Sequence, residues 1–80
     1  MKDKKVAQAK GFDLATGEER KAVVLFNGAR YVLGVTGKVE GEWWILDGDE
    51  LFLSFEDACV AIAKVCAKWE KATIKFSSPF

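Results

Sequence analysis

Histidine is missing from the 80 residues, and cysteine occurs only twice. Without histidine the chain lacks the commonest general base and the commonest metal ligand. Two cysteines alone cannot build a zinc site. Cys59 and Cys66 lie on a predicted helix, where their spacing sets the Cα atoms about 10 Å apart at 1.5 Å per residue. A disulfide needs them within about 7 Å, so both are expected as reduced, small apolar residues. No apolar run approaches the roughly 18 residues of a membrane span. The charged start Met1-Lys2-Asp3-Lys4-Lys5 is followed by no long apolar stretch, so no secretory signal is expected and the chain is read as cytoplasmic. Internal repeats, low-complexity segments and linkers are absent too.

The remaining hints of chemistry are weak. Gly34-Val35-Thr36-Gly37-Lys38 contains a Gly-Lys pair but lacks the P-loop spacing and the following Ser or Thr. Asp47-Gly48-Asp49-Glu50 offers oxygen atoms of the kind calcium and magnesium take, yet a tight turn supplies too few ligands. The sequence therefore reads as a non-enzyme without cofactor or metal.

What the chain does have is apolar strand. Half of its residues are hydrophobic, which marks one small globular domain over residues 1–80. A core of this size rarely supplies more than about 3–5 kcal/mol without help such as oligomerisation. Trp43-Trp44-Ile45-Leu46 is the densest stretch. Successive strand residues point to opposite faces, so the two tryptophans must look in opposite directions.

Turn chemistry divides the chain into strands. Asn27-Gly28, between Ala22-Val23-Val24-Leu25-Phe26 and Tyr31-Val32-Leu33, predicts a two-residue hairpin. Its register would set Phe26 against Ala29, Val24 against Tyr31 and Ala22 against Leu33. Asp47-Gly48-Asp49-Glu50 predicts a second hairpin that sets Leu46 against Leu51 and Trp44 against Leu53. Glu40-Gly41 or Thr36-Gly37 joins the two. Thr16-Gly17 marks an earlier turn after a weak strand near residues 6–14, and residues 73–76 suit a short last strand.

One helix is expected, over about 55–72. Ser54 is a good N-cap, with Asp57 three residues on as a variant capping box. Phe55, Ala58, Cys59, Ile62, Val65, Cys66, Trp69 and Ala72 recur at three- and four-residue steps and form one apolar stripe. The fold expected is α+β: a four- to five-stranded antiparallel meander with this amphipathic helix packed on one face and a short C-terminal strand.

The predicted registers sort the strand residues into faces. Val24, Phe26, Tyr31, Leu33, Trp44, Leu46, Leu51 and Leu53 should meet the helix. Val23, Leu25, Arg30, Val32, Trp43, Ile45 and Phe52 should form an outer, apolar face. The N-terminal strand or the C-terminal tail would cover that face in an ordinary two-sided core. Left uncovered, it would be an interaction surface.

Charge is segregated although the net charge is zero. Residues 1–38 carry eight Lys/Arg and four Asp/Glu, residues 39–57 seven acids and no base, and residues 58–80 four Lys and one Glu. Glu40, Glu42, Asp47, Asp49 and Glu50 are therefore read as an acidic edge that orients a partner.

The function expected is a small non-catalytic protein–protein interaction module. It would be homodimeric or bind another protein, as suits an inhibitor or adaptor from a phage or mobile element. The alternative is a single-stranded nucleic-acid-binding module that uses Trp43, Phe52 and Arg30 on the sheet with Lys21 and Lys38 nearby. Against that alternative stand the neutral net charge and the acidic second hairpin.

Overall fold

The structure is a computed structural model and describes residues 4–77, the side chain of Asp49 excepted. Five strands and one helix follow in the order β1 (Lys4–Asp13), β2 (Glu19–Phe26), β3 (Tyr31–Val39), β4 (Glu42–Phe52), α1 (Phe55–Cys66) and β5 (Trp69–Phe76). All strand pairs are antiparallel, and the sheet order is β4-β3-β2-β1-β5. Helix α1 carries the chain from the β4 edge back across one face, touching every strand, so that β5 can pair with β1. The expected α+β meander with one helix on one face is the architecture found.

The core lies between α1 and this face. Val6, Ala7, Ala9, Ala22, Val24, Tyr31, Leu33 and Val35 come from the sheet, Ala58, Ile62 and Cys66 from the helix, and Trp69 from β5. A bulge between Lys5 and Ala7 turns both Val6 and Ala7 inward. Ser54 caps the helix, its hydroxyl accepting from the Asp57 amide at 3.1 Å.

The helix stops at Cys66, six positions short of the expected end. Ala67 and Lys68 close it with bonds back to Ala63 and Val65. Trp69 and Ala72, which continued the helical stripe in the sequence, face the core from β5 instead. A bulge opposite Gly11, with Lys71 at φ +56°, lets both point inward. Edge pairing with β1 satisfies the backbone there, which overrides the helical spacing.

The expected second hairpin is not formed. β4 runs unbroken through Asp47-Gly48-Asp49-Glu50, with register irregularities opposite residues 33–36 of β3. The tight hairpin is one step earlier, at Glu40-Gly41, where both residues have positive φ (54° and 85°). Loss of the 47–50 turn changes parity after it. Leu51 now pairs with Val32 on the outer face, and Phe52 pairs with Tyr31 and packs against the core. The assignments of Leu51 to the helix side and of Phe52 to the outer face are thus reversed. Leu53, also assigned to the helix side, is 74% exposed in the link to α1.

At Asn27-Gly28 the connection has four residues, 27–30, and not two. Asn27 Oδ1 accepts from the amides of Ala29 and Arg30, and the Asn27 amide donates to the Arg30 carbonyl. Phe26 therefore pairs with Tyr31, Val24 with Leu33 and Ala22 with Val35. The pairing shift is two residues, so the faces survive.

A 12-residue helix is about 18 Å long and about 10 Å wide. It spans the sheet's width but covers only the middle of strands up to about 36 Å long. Trp44 and Leu46 lie on the helix side yet remain 57% and 43% exposed.

Candidate functional site

The opposite sheet face has no covering element among the described residues. The N-terminal strand is not folded across it, since β1 sits inside the sheet between β2 and β5. Residues 78–80, the end of the tail that would cover it in a two-sided core, lie outside the described residues.

Register arranges this face in rows. From β4 toward β5, the first row reads Trp43, Lys38, Glu19, Phe12, Glu70 and the second Ile45, Thr36, Lys21, Lys10, Thr73. The third reads Gly34, Val23, Gln8, Lys75, and the last Leu51, Val32, Leu25, Lys5. Val23, Leu25, Val32, Trp43 and Ile45 thus stand where the sequence placed them. The face is not uniformly apolar, however. Leu25, Val32 and Leu51 gather at one end, while lysines and aromatics occupy the other.

The lysine end is built tightly. Lys10 and Lys21 are direct cross-strand partners. The ammonium of Lys21 lies 4.7 Å, and that of Lys38 5.6 Å, from the centre of the Trp43 ring. Lys38 also meets Glu19 at 3.7 Å. Lys10, Lys21, Lys71 and Lys75 take part in neither of the two salt bridges among the described residues. Phe12, three strands along the first row from Trp43, is 38% exposed.

Arg30 sits in the 27–30 connection, where its guanidinium donates to the Ala29 carbonyl, apart from the lysine rows. Phe52 is on the helix side, as described above. The residues expected as an acidic edge are off this face, whose own acids are Glu19 and Glu70. Glu40 is in the β3–β4 turn, and Glu42, Asp47 and Glu50 pair with Val39, Val35 and Leu33, whose parity is that of the helix side. The side chain of Asp49 lies outside the described residues. Asp47 and Glu50 border grooves between β4 and α1 that Lys64 also lines.

Lys10, Lys71, Lys75, Phe12 and Thr73 were missed in the sequence. They belong to β1, expected as a weak strand, and to β5, of which residues 69–72 were expected as helix and 73–76 as a short strand. The alternation Gln8, Lys10, Phe12 and again Lys71, Thr73, Lys75 was the available signal.

The cysteines take no part in this face. Both are free thiols, and burial pushes the Cys66 thiol above its ordinary range. Burial, with a smaller effect of Glu56, does the same for Cys59. No helix among the described residues is long and apolar enough to cross a membrane. Comparison with known proteins finds no family model, no curated protein and no solved structure that matches this chain.

Proposed function

We propose that this chain is a single-stranded nucleic-acid-binding module of the cytoplasm that uses the uncovered sheet face. The observation that carries this reading is the direct pairing of Lys10 with Lys21, flanked by Lys38, Lys75 and the exposed Trp43. Like charges set directly opposite one another weaken a sheet. On a chain of zero net charge such a cluster gains its counter-charge from a ligand. A phosphate backbone supplies that charge, and bases supply rings for the aromatics.

The two objections raised by the sequence lose their force. The net charge is neutral, but the acids of β4 have helix-side parity, and the outer face, with Lys5, Lys10, Lys21, Lys38 and Lys75 against Glu19 and Glu70, stays positive. The acidic second hairpin does not exist. Lysine contacts to the Trp43 ring are no obstacle either. The two exposed cation–π contacts together are worth about 1–2 kcal/mol, within the range of base stacking on an aromatic, about 1–3 kcal/mol.

Fluorescence anisotropy of a labelled oligothymidylate tests this. Each phosphate contacted on a single strand adds about −0.7 to the log–log salt slope, so fourfold more salt should weaken binding by about 2.6-fold per contact. Absence of any shift at micromolar protein would refute the function.

A second reading is self-association, the homodimer or protein–protein module expected from the sequence. It is favoured by β4, an eleven-residue edge strand on which Trp44, Ile45, Leu46 and Leu51 are exposed. An unpaired edge of this kind is a template for another strand. Its irregular register and its acids Glu42, Asp47 and Glu50 are also features that blunt an edge, which ranks this reading second.

A further inference from the structure

The lysine face carries two adjoining depressions with different walls. One, of about 230 Å³, is lined by Lys5, Lys10, Lys21 and Lys75, with Gln8 and Thr73. The other, of about 420 Å³, has Phe12 and Trp43 among its walls, with Glu19 and Lys71. Lys10, Lys21 and Thr73 belong to both.

We infer that the pair holds one nucleotide unit, with the phosphate among the four lysines and the base between Phe12 and Trp43. This rests on the nucleic-acid reading above and adds where each part of the ligand goes. The first depression has four lysines and no carboxylate in its lining, which suits a phosphate, although the Lys21 ammonium itself rests over the Trp43 ring. Lys5 is held in place there by its bond to Gln8 Oε1 at 3.1 Å. The second offers two aromatic side chains, and its one carboxylate, Glu19, is met by Lys38 at 3.7 Å. That environment suits a flat, uncharged ring. Phe12 and Trp43 stand one row from Lys10 and Lys21, about 6.8 Å along the strands, the span of a sugar between base and phosphate. Thr73, which lines both depressions, is of a type that suits a sugar or phosphate oxygen.

The test uses the full chain, a labelled oligothymidylate and an abasic oligonucleotide of equal length and charge. Base stacking predicts that the abasic strand binds at least about fivefold more weakly. Trp43→Ala and Phe12→Ala should each weaken thymidylate binding and leave abasic binding unchanged. Lys75→Gln should weaken both ligands and flatten the salt dependence. Circular dichroism checks that each variant is folded. Equal binding of the two strands, unaffected by either aromatic substitution, would overturn the base site and leave the nucleic-acid reading standing. Weakening by Trp43→Ala alone would overturn the paired slot, leaving Trp43 as a single stacking platform. No binding of either strand would overturn both readings.

Discussion

Arg20 crosses directly over Gly37: a Cβ at position 37 would lie 2.6 Å from the Arg20 Cδ and 2.7 Å from the Leu46 Cδ1. Hydrogen is the only substituent that leaves Arg20 its path. The guanidinium, buried at 8% residual exposure, donates from Nη1 to the carbonyls of Glu19 and Lys38, both at 2.9 Å. Its Nη2 meets Asp13 at 3.5 Å. A buried charge is tolerable only when its polar atoms are matched in this way.

Gly37→Ala is therefore expected to destabilise the fold by about 1–3 kcal/mol, the usual range for overpacking. Urea unfolding should show a lower midpoint at an unchanged slope. An unchanged midpoint would mean that Arg20 has another route over the sheet.

Asp13 gives the acid side of the stability curve a defined origin. Its carboxylate accepts from the amides of Ala15 and Thr16, and these bonds, with the nearby Arg20 charge, hold its pKa below the ordinary value of 3.8. A depressed folded-state value makes the carboxylate stabilising above the unfolded-state value. That contribution is lost as pH falls through the folded-state one. Asp13→Asn keeps an oxygen for the two amides but loses the charge facing Arg20. The variant should be less stable at neutral pH, and the gap to the parent should close as pH falls below 3.8. Thermal melts from pH 7 to pH 2 read this directly, and a constant gap across that range would assign the effect to packing.

Local chemistry made much of this fold legible, and the failures have one cause. Ser54, Ala58, Ile62 and Cys66 identified the helix, and the apolar parity of Val24, Tyr31 and Leu33 identified the core face of the first hairpin. A four-residue Asn27 turn left that parity intact because the pairing moved by two positions. Asp47-Gly48 was different. Its turn propensity was real, but β3 had strand enough, through Val39, to pair with an unbroken β4. Long-range pairing overrode local preference, and Leu51 and Phe52 exchanged faces. The same kind of override converted Trp69 and Ala72 from helix to strand. Of the candidate site, Lys21, Lys38 and Trp43 were visible in the sequence. Lys10, Phe12 and Lys75 were not, because only the return of β5 to β1 gathers them on one face.

Lys10→Glu separates stability from binding. The new carboxylate would stand directly across from Lys21, turning a repulsive cross-strand pair into an attractive one worth about 0.2–1 kcal/mol. The melting temperature should rise while oligonucleotide affinity falls and its salt slope flattens. A variant that is stabilised yet binds as tightly as the parent would remove the lysine row from the site.

Self-association through β4 and the proposed nucleic-acid binding would respond to salt with opposite sign. Antiparallel pairing of two β4 edges would bring together Glu42, Asp47 and Glu50 of both copies, all exposed. At about 0.1 M salt the Debye length is near 10 Å, so added salt screens such repulsion. Sedimentation velocity should then show a dimer that strengthens with salt, whereas oligonucleotide binding weakens. Ile45→Lys tests both surfaces at once. Ile45 is 79% exposed, next to Trp43 in β4 and opposite Thr36. The substitution leaves the core untouched, puts a charge into any β4–β4 interface and adds a cation beside Trp43. Weaker self-association together with tighter oligonucleotide binding is the expected pair of results. Loss of both would mean that the β4 edge and the lysine face act as one surface, with binding dependent on the dimer.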